Sequence, residues 1–424
     1  MTMPTLSPEL SNRVLNLKPS ITVALNNRAK ALKASGVDVL GFAAGEPDFD
    51  TPEPIKKAAI KAMLDGQTKY MPTLGDMTTR ECIAHKLVTE NSIAGLTGEH
   101  IAIGAGGKHV LYGAMQCLFD FPQPMEDPWE MILPTPAWVS YRPICELSGG
   151  VVKEINAGPE TDFRITPKQL ADAITPRSRV LILNSPSNPC GTMYSESDLR
   201  DLAKVIHEAI DIAPNLVVLT DEIYEKIVYG EHTHFSIGSI PEIADRVITL
   251  NGMSKAYAMT GWRIGYVAMP GEFGKKFIKS MGTLQGQMTT NITSFNYAAI
   301  REALTNPEVA QSVETMRQAF ANRARLIMGR LSKIEGVTCP PPTGAFYVFP
   351  DVSALFGKTS KGGTKITDAP TLSQAMLDEA NIAFVPGDDF GGLSGNHLRI
   401  SFTCSDEQIN EGMDRFTGFV TGLN

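Results

Sequence analysis

The alternation of short apolar runs with amphipathic stretches between residues 100 and 270 constrains this chain more than any other feature. Runs at 100–103, 130–133, 151–155, 180–184, 216–221, 247–250 and 264–269 read as strands. The stretches between them carry helical periodicity, as at 196–210, which follows a Ser195 cap. This alternation predicts an α/β fold with a mostly parallel central sheet and helices on both faces. In such sheets ligands collect beyond the carboxyl ends of the strands. Asn184 and Asp221 stand at two of those ends, where polar function is expected.

After about residue 295 the texture changes. A helical stretch at 307–333 leads into Gly-Ala-Phe-Tyr-Val-Phe (344–349), which alternates like a strand. A Gly/Lys/Thr-rich loop (357–367), a helix near 372–380 and a last strand at 398–402 follow. These predict a second, smaller α+β domain. The expected division is a large domain at 50–295 and a small domain made of 1–49 and 296–424. A helix at 22–35, stopped by Gly36, links the two.

Charge and composition exclude several classes. The formal net charge of −8 provides no basic face for nucleic acid. No apolar run approaches a membrane span, and the first residues lack a basic segment followed by an apolar core. The six cysteines are scattered, without a Cys-x-x-Cys pair, and read as free thiols of a reducing, cytoplasmic compartment. The seven histidines suggest no metal-ligand cluster, and no metal is expected. The Gly-rich turn at 104–109 is not a nucleotide loop. A Walker loop needs Gly at 102 and Ser or Thr at 109, where this chain has Ala102 and His109. The dinucleotide fingerprint would need Gly at 109.

The chemistry concentrates in Asn-Gly-Met-Ser-Lys-Ala-Tyr-Ala-Met-Thr-Gly-Trp-Arg-Ile-Gly-Tyr (251–266). Lys255 lies just beyond one strand, and Arg263 just before the next. A lysine amine forms a Schiff base with an aldehyde only when neutral, and desolvation or a nearby cation lowers its pKa. Arg263 offers a planar fork for a phosphate, and Ser254 a hydroxyl. An imine anchor beside a phosphate anchor suits pyridoxal phosphate (PLP). Taken alone, the same pair also reads as a solvated lysine beside a structural arginine. Three further segments fit a PLP site: Asn-Ser-Pro-Ser-Asn-Pro-Cys-Gly (184–191), Thr-Asp-Glu-Ile-Tyr (220–224), and the turn at 104–109, whose backbone amides suit an anion.

With these segments the chain resembles the class I aminotransferases of PLP fold type I, closest to the subgroup Ib aspartate aminotransferases. The resemblance runs from about Leu10 to about Asp414. It is also carried by Lys-Pro-Ser-Ile-Thr-Val-Ala (18–24), Ala-Gly-Glu-Pro-Asp-Phe-Asp-Thr-Pro (44–52), Thr-Lys-Tyr (68–70), Pro-Ala-Trp-Val-Ser-Tyr (136–141), Asp-Glu-Ile-Tyr-Glu (221–225) and Leu-Arg-Ile-Ser (398–401). The resemblance implies that Lys255 binds the cofactor and shuttles the substrate Cα proton. Asp221 pairs with the pyridine nitrogen, Asn188 and Tyr224 bond the phenolic oxygen, and Trp138 stacks on the ring. The amides at Gly106, Gly107 and Lys108, with Ser254 and Arg263, hold the phosphate. Tyr70 reaches it from the other subunit of a homodimer with shared sites. Arg399 clamps the substrate α-carboxylate, aided by Asn188 and the Gly45 amide, while Lys108 and Thr22 take a distal carboxylate.

The implied reaction is ping-pong transamination between aspartate or glutamate and a 2-oxo acid. The same framework serves relatives that take prephenate or arogenate, and a PLP-dependent lyase or synthase shares similar lysine motifs. A non-catalytic regulatory module would require a fused DNA-binding segment, for which the N-terminus offers no room. Some positions depart from the family pattern. Gly252 and Met253 stand where many relatives carry Ser or Ala, which removes one phosphate hydroxyl. Cys190 replaces a Thr, and the segment at 119–129 is longer than a tight turn.

Overall fold

The computed structural model describes residues 10–17, 21–120 and 128–424, without the side chains of residues 21–23 and 26. Its main sheet has seven strands: β1 (Ile101–Gly104), β2 (Glu130–Thr135), β3 (Val151–Asn156), β4 (Ser178–Asn184), β5 (Val217–Asp221), β6 (Val247–Gly252) and β7 (Gly265–Ala268). Their spatial order is β1-β7-β6-β5-β4-β2-β3. Only β7 runs antiparallel to its neighbours. Helices cover both faces, so β1, β5, β6 and β7 are buried throughout, as their near-continuous apolar sequences require. Each predicted strand is present, with ends shifted by one or two residues.

Register builds the site. Asn184 pairs with Asp221, and Asp221 with Leu250, so the ends of β4, β5 and β6 stand level. Gly265 of β7 faces Gly104 on one side and Gly252 on the other. This row of glycines lets helix α1 (Gly107–Leu118) press its N-terminus onto the sheet. A Cβ at Gly265 would stand 2.3 Å from the Gly107 nitrogen, and one at Gly252 would stand 2.7 Å from the Ile264 carbonyl oxygen. The departure at Gly252 is therefore steric, because a serine there has no room.

The expected helix at 196–210 is α2 (Glu196–Glu208). Its N-cap Ser195 accepts from the Asp198 amide while the Asp198 side chain accepts from the Ser195 amide. Further along, α3 (Pro307–Leu331), α4 (Ala369–Ala380) and α5 (Asp406–Thr421) pack against a second sheet. It comprises β8 (Tyr347–Val348), β9 (Val385–Pro386) and β10 (Leu398–Ser401), antiparallel in the order β9-β10-β8. The strand expected at 344–349 shrinks to two residues because Ala345 takes φ 55° and breaks the extended backbone. Leu40–Gly41 pairs in parallel with Ile382–Ala383, and Phe42 buries with Phe320, Phe346, Phe384 and Phe416. The N-terminal segment thus shares a core with the C-terminal part.

The packing changes partners beyond residue 295. Helix Asn296–Thr305 and Val309 bury with Ile55 and Ile83 of the larger body, whereas Met316 and Phe320 join the second core. The loop at 357–367 is tied to α4, through Ser360 and the Gly362 amide on Glu379, and to the C-terminal Asn424. Of the segment at 119–129, residues 121–127 lie outside the described part.

Candidate active site

The strand ends open into a cavity of about 290 Å³. Its lining includes Gly45, Gly107, Lys108, Trp138, Asn188, Asp221, Tyr224, Ser254, Lys255, Arg263 and Arg399, eleven of the fourteen residues expected from the sequence. Residues distant in the chain meet here because β4, β5 and β6 end side by side while β10 brings Arg399 from the second sheet.

Lys255 follows β6 in a tight turn, and its Nζ donates to the Gly45 carbonyl at 2.5 Å. Burial pulls its pKa down to about 8. Glu46 opposes this, while Arg399 and Arg263 add to it. The amine can therefore lose its proton near neutral pH, as a nucleophile or base must. Asp221 is 6% exposed and accepts from the Tyr141 hydroxyl at 2.7 Å. Burial pushes its carboxyl up to about 6, against the bonds from Tyr141 and the Ile223 amide and the attraction of Lys255. A carboxylate so short of positive charge suits a protonated ring nitrogen.

Opposite lies the anion cradle. Gly107 and Lys108 are the first residues of α1, and their amides, unlike those of His109 and Val110, do not bond the Gly106 cap carbonyl. Arg263 takes φ 59°, and its Nη1 donates to the Thr260 carbonyl. Its Nη2 would stand 2.4 Å from a Cβ at Gly106, where φ is 95°. The Gly106 amide itself donates to the Gly104 carbonyl at 2.8 Å. The absence of a side chain at Gly106 is what admits Arg263.

Arg399 is 4% exposed and forms no ion pair among the described residues. It donates to the Ala43 carbonyl at 2.8 Å and to Asn188 Oδ1 at 3.1 Å, while its Nε has no partner. Its guanidinium lies 4.9 Å from the Tyr347 ring centroid and 5.2 Å from that of Phe390. A desolvated cation with a spare donor is a receptor for a carboxylate. Lys108 Nζ sits 4.9 Å from the Trp138 ring centroid, and its pKa is lowered by burial and then by Arg263.

The geometry brings in residues that the sequence reading gave no specific part in the site. Tyr141 stands three places after Trp138 and bonds Asp221. Tyr347 lines the cavity and bonds Tyr224 at 3.0 Å. Asn184 fastens the Asp221 carbonyl and the Asn188 amide. Tyr347 had no local signal, since it belongs to a strand whose alternation reads as core. Of the other three expected residues, Gly106 and Tyr70 are outside the cavity lining of this single chain, Tyr70 being 88% exposed, and the Thr22 side chain lies outside the described part.

The family of aminotransferases of class I and II matches residues 37–416. The aspartate/prephenate aminotransferase of Cereibacter sphaeroides is 42% identical, covering 98% of this chain and 99% of its own. An aspartate aminotransferase of a Bacillus species is 40% identical, covering 97% and 99%. The chain belongs to the class I and II aminotransferases. Among solved structures, the Thermus thermophilus aspartate aminotransferase with maleate superposes with a TM-score of 0.87. It is 38% identical, and the match covers 97% of this chain and all of that one. This aminotransferase accordingly has PLP fold type I.

Behind the Asp221 turn the aminotransferase carries a buried charge network. Glu222, Glu225 and His234 offer ligand atoms within 4.8 Å of one another, a grouping that the histidine pattern did not reveal. Lys86 already pairs with Glu225, and Asn91 bonds both carboxylates. Burial first, and then Glu225, push Glu222 up to about 8, against Ser236, Lys86 and Thr220. His234, facing it at 3.7 Å, is pulled down to about 4 by burial. A carboxyl whose folded-state pKa is raised favours folding in its neutral form. From Glu222, stability is therefore lost as pH rises from about 4.5 toward about 8. Glu222→Gln removes that dependence, so its thermal midpoint relative to wild type is higher at pH 8.5 than at pH 5. Melting curves at both pH values check this, and an equal difference at both would contradict it.

Proposed function

We propose that this aminotransferase exchanges the amino group of L-aspartate or L-glutamate with a 2-oxo acid, using PLP. The single observation that carries the proposal is one cavity holding an amine, a buried carboxylate, a helix-end anion cradle and a desolvated guanidinium. The relatives named aspartate aminotransferase, and the presence of maleate, a dicarboxylate, in one similar structure, support the choice of substrate.

The residues present fit the cofactor. The amides of Gly107 and Lys108, with Ser254 and Arg263, would hold its phosphate, and Asp221 its ring nitrogen. Asn188 and Tyr224 would hold its phenolic oxygen, and Trp138 would cover its ring. Bound PLP supplies an electron sink for the pair left at the substrate Cα. Lys255 then moves a proton from Cα, at a pH where its lowered pKa leaves part of it neutral. Arg399 holds the α-carboxylate and so fixes which Cα bond faces Lys255. Lys108, with Thr22, takes the distal carboxylate. We also retain the homodimer, in which Tyr70 comes from the partner subunit, and the cytoplasmic location. Among the described residues no helix is long and apolar enough to cross a membrane. We keep the domain division expected from the sequence, 50–295 against 1–49 and 296–424, although the apolar packing changes partners further on, within α3.

The experiment is half-reaction spectroscopy on the PLP-loaded protein, with aspartate, glutamate, arogenate, alanine and phenylalanine in turn. Fast conversion to the pyridoxamine band by aspartate and glutamate alone supports the proposal. Conversion by arogenate at a comparable rate would favour the second reading, prephenate amination, which the Cereibacter relative's name suggests. Lys108→Ala should raise KM for aspartate about tenfold or more, the scale of one charged hydrogen bond, with little change for alanine. Equal effects on both donors would remove Lys108 from the distal-carboxylate site.

A further inference from the structure

Tyr347 is 1% exposed and touches three parts of the cavity. Its ring lies under the Arg399 guanidinium, at 4.9 Å from the centroid. Its hydroxyl lies 3.0 Å from the Tyr224 hydroxyl. The same oxygen would stand 2.5 Å from a Cβ at Gly45, whose carbonyl receives Lys255. The side chain is held from behind by the pairing of Tyr347 with Ser401 across β8 and β10, two residues from Arg399. Tyr347 and Arg399 thus sit on paired strands of the second sheet, whereas Tyr224 and Lys255 follow strands β5 and β6 of the first.

We propose that Tyr347 is a positioning residue that aims the Tyr224 hydroxyl while its ring seats Arg399, so that one side chain couples the cofactor-facing phenol to the α-carboxylate clamp. Arg399 over the ring makes the Tyr347 hydroxyl the stronger donor of the two phenols. It donates to the Tyr224 oxygen, which leaves the Tyr224 proton directed into the cavity. A chain of two hydroxyls polarised this way donates more strongly at its far end than one alone. The ring acts separately: guanidinium stacking between Tyr347 and Phe390 holds the fork in the plane in which Ala43 and Asn188 accept from it.

The inference rests on the PLP reading above, and its test separates the two. Tyr347→Phe keeps the ring and removes the hydroxyl, and Tyr347→Leu removes both. The measurements on PLP-loaded protein are the pH midpoint of the visible absorbance band, the Kd for PLP, and KM for aspartate. Tyr347→Phe should raise the absorbance midpoint by roughly 0.5–1 pH unit and weaken PLP several-fold, about the scale of one neutral hydrogen bond. Its KM should stay within about twofold of wild type, whereas Tyr347→Leu should raise KM about tenfold. In a Tyr224→Phe background, Tyr347→Phe should produce no further shift of the midpoint. Additive shifts in the double variant, or the same KM rise in both Tyr347 variants, overturn the proposal. A wild-type protein with no visible band on PLP addition would instead overturn the PLP reading itself.

Discussion

Lys255→Ala is expected to abolish multiple turnover. The expected loss is at least about 10⁴-fold, because in the proposed reading one substitution removes both the covalent anchor and the proton-transfer group. Borohydride reduction of the PLP-loaded wild type should fix the cofactor on the peptide that carries Lys255, and the variant should fix none there. The cofactor-free variant should not lose stability at pH 7. Burial holds the Lys255 pKa down near 8, so its charged form is disfavoured by folding below that pH. The cost is fully present at low pH and fades as pH rises through about 8 toward the ordinary lysine value. Removing the amine relieves it, and a thermal melt at pH 7 reads the sign. Turnover by Lys255→Ala above about 1% of wild type is incompatible with its assigned role.

Arg399→Ala should lower kcat/KM by about 10²–10³-fold for aspartate and for alanine alike, since both carry the α-carboxylate. The scale is that of breaking a desolvated, hydrogen-bonded charge pair. Affinity for PLP should fall far less than kcat/KM, because Arg399 reaches the cofactor site only through Asn188 and Tyr347. Steady-state kinetics with both donors decide the matter. A loss confined to aspartate would move Arg399 to the distal carboxylate and exchange its role with that of Lys108. Arg399→Lys should recover little, since a point charge cannot replace a planar fork stacked between Tyr347 and Phe390.

Much of this architecture is legible locally. The strands ending in Asn184 and Asp221 announce themselves as apolar runs bounded by polar residues, and α2 by Ser195 and Asp198 at its cap. These signals are local because hydrogen-bonding period and capping act over a few residues. The two-residue β8 is less legible, since the positive φ of Ala345 is imposed by packing and not by its own side chain. The change of packing partners along α3 is equally silent, because a continuous helix carries no mark of which core each turn faces.

The site divides the same way. Lys255, Asp221, Asn188, Arg263 and Arg399 all line the cavity, and the sequence singles each out because it lies in a run of unusual residues. The sequence alone also determines the parallel sheet, and hence that the strand ends collect the polar groups. Only the tertiary structure decides that the bare Gly106 makes room for Arg263, that Gly252 leaves no room for a serine hydroxyl, and that Tyr347 touches both Tyr224 and Arg399. Each of those is a contact between backbones or rings far apart in the chain. Sterics at that range depend on how α1 meets β7 and how the second sheet meets the first, and no short stretch of residues encodes either.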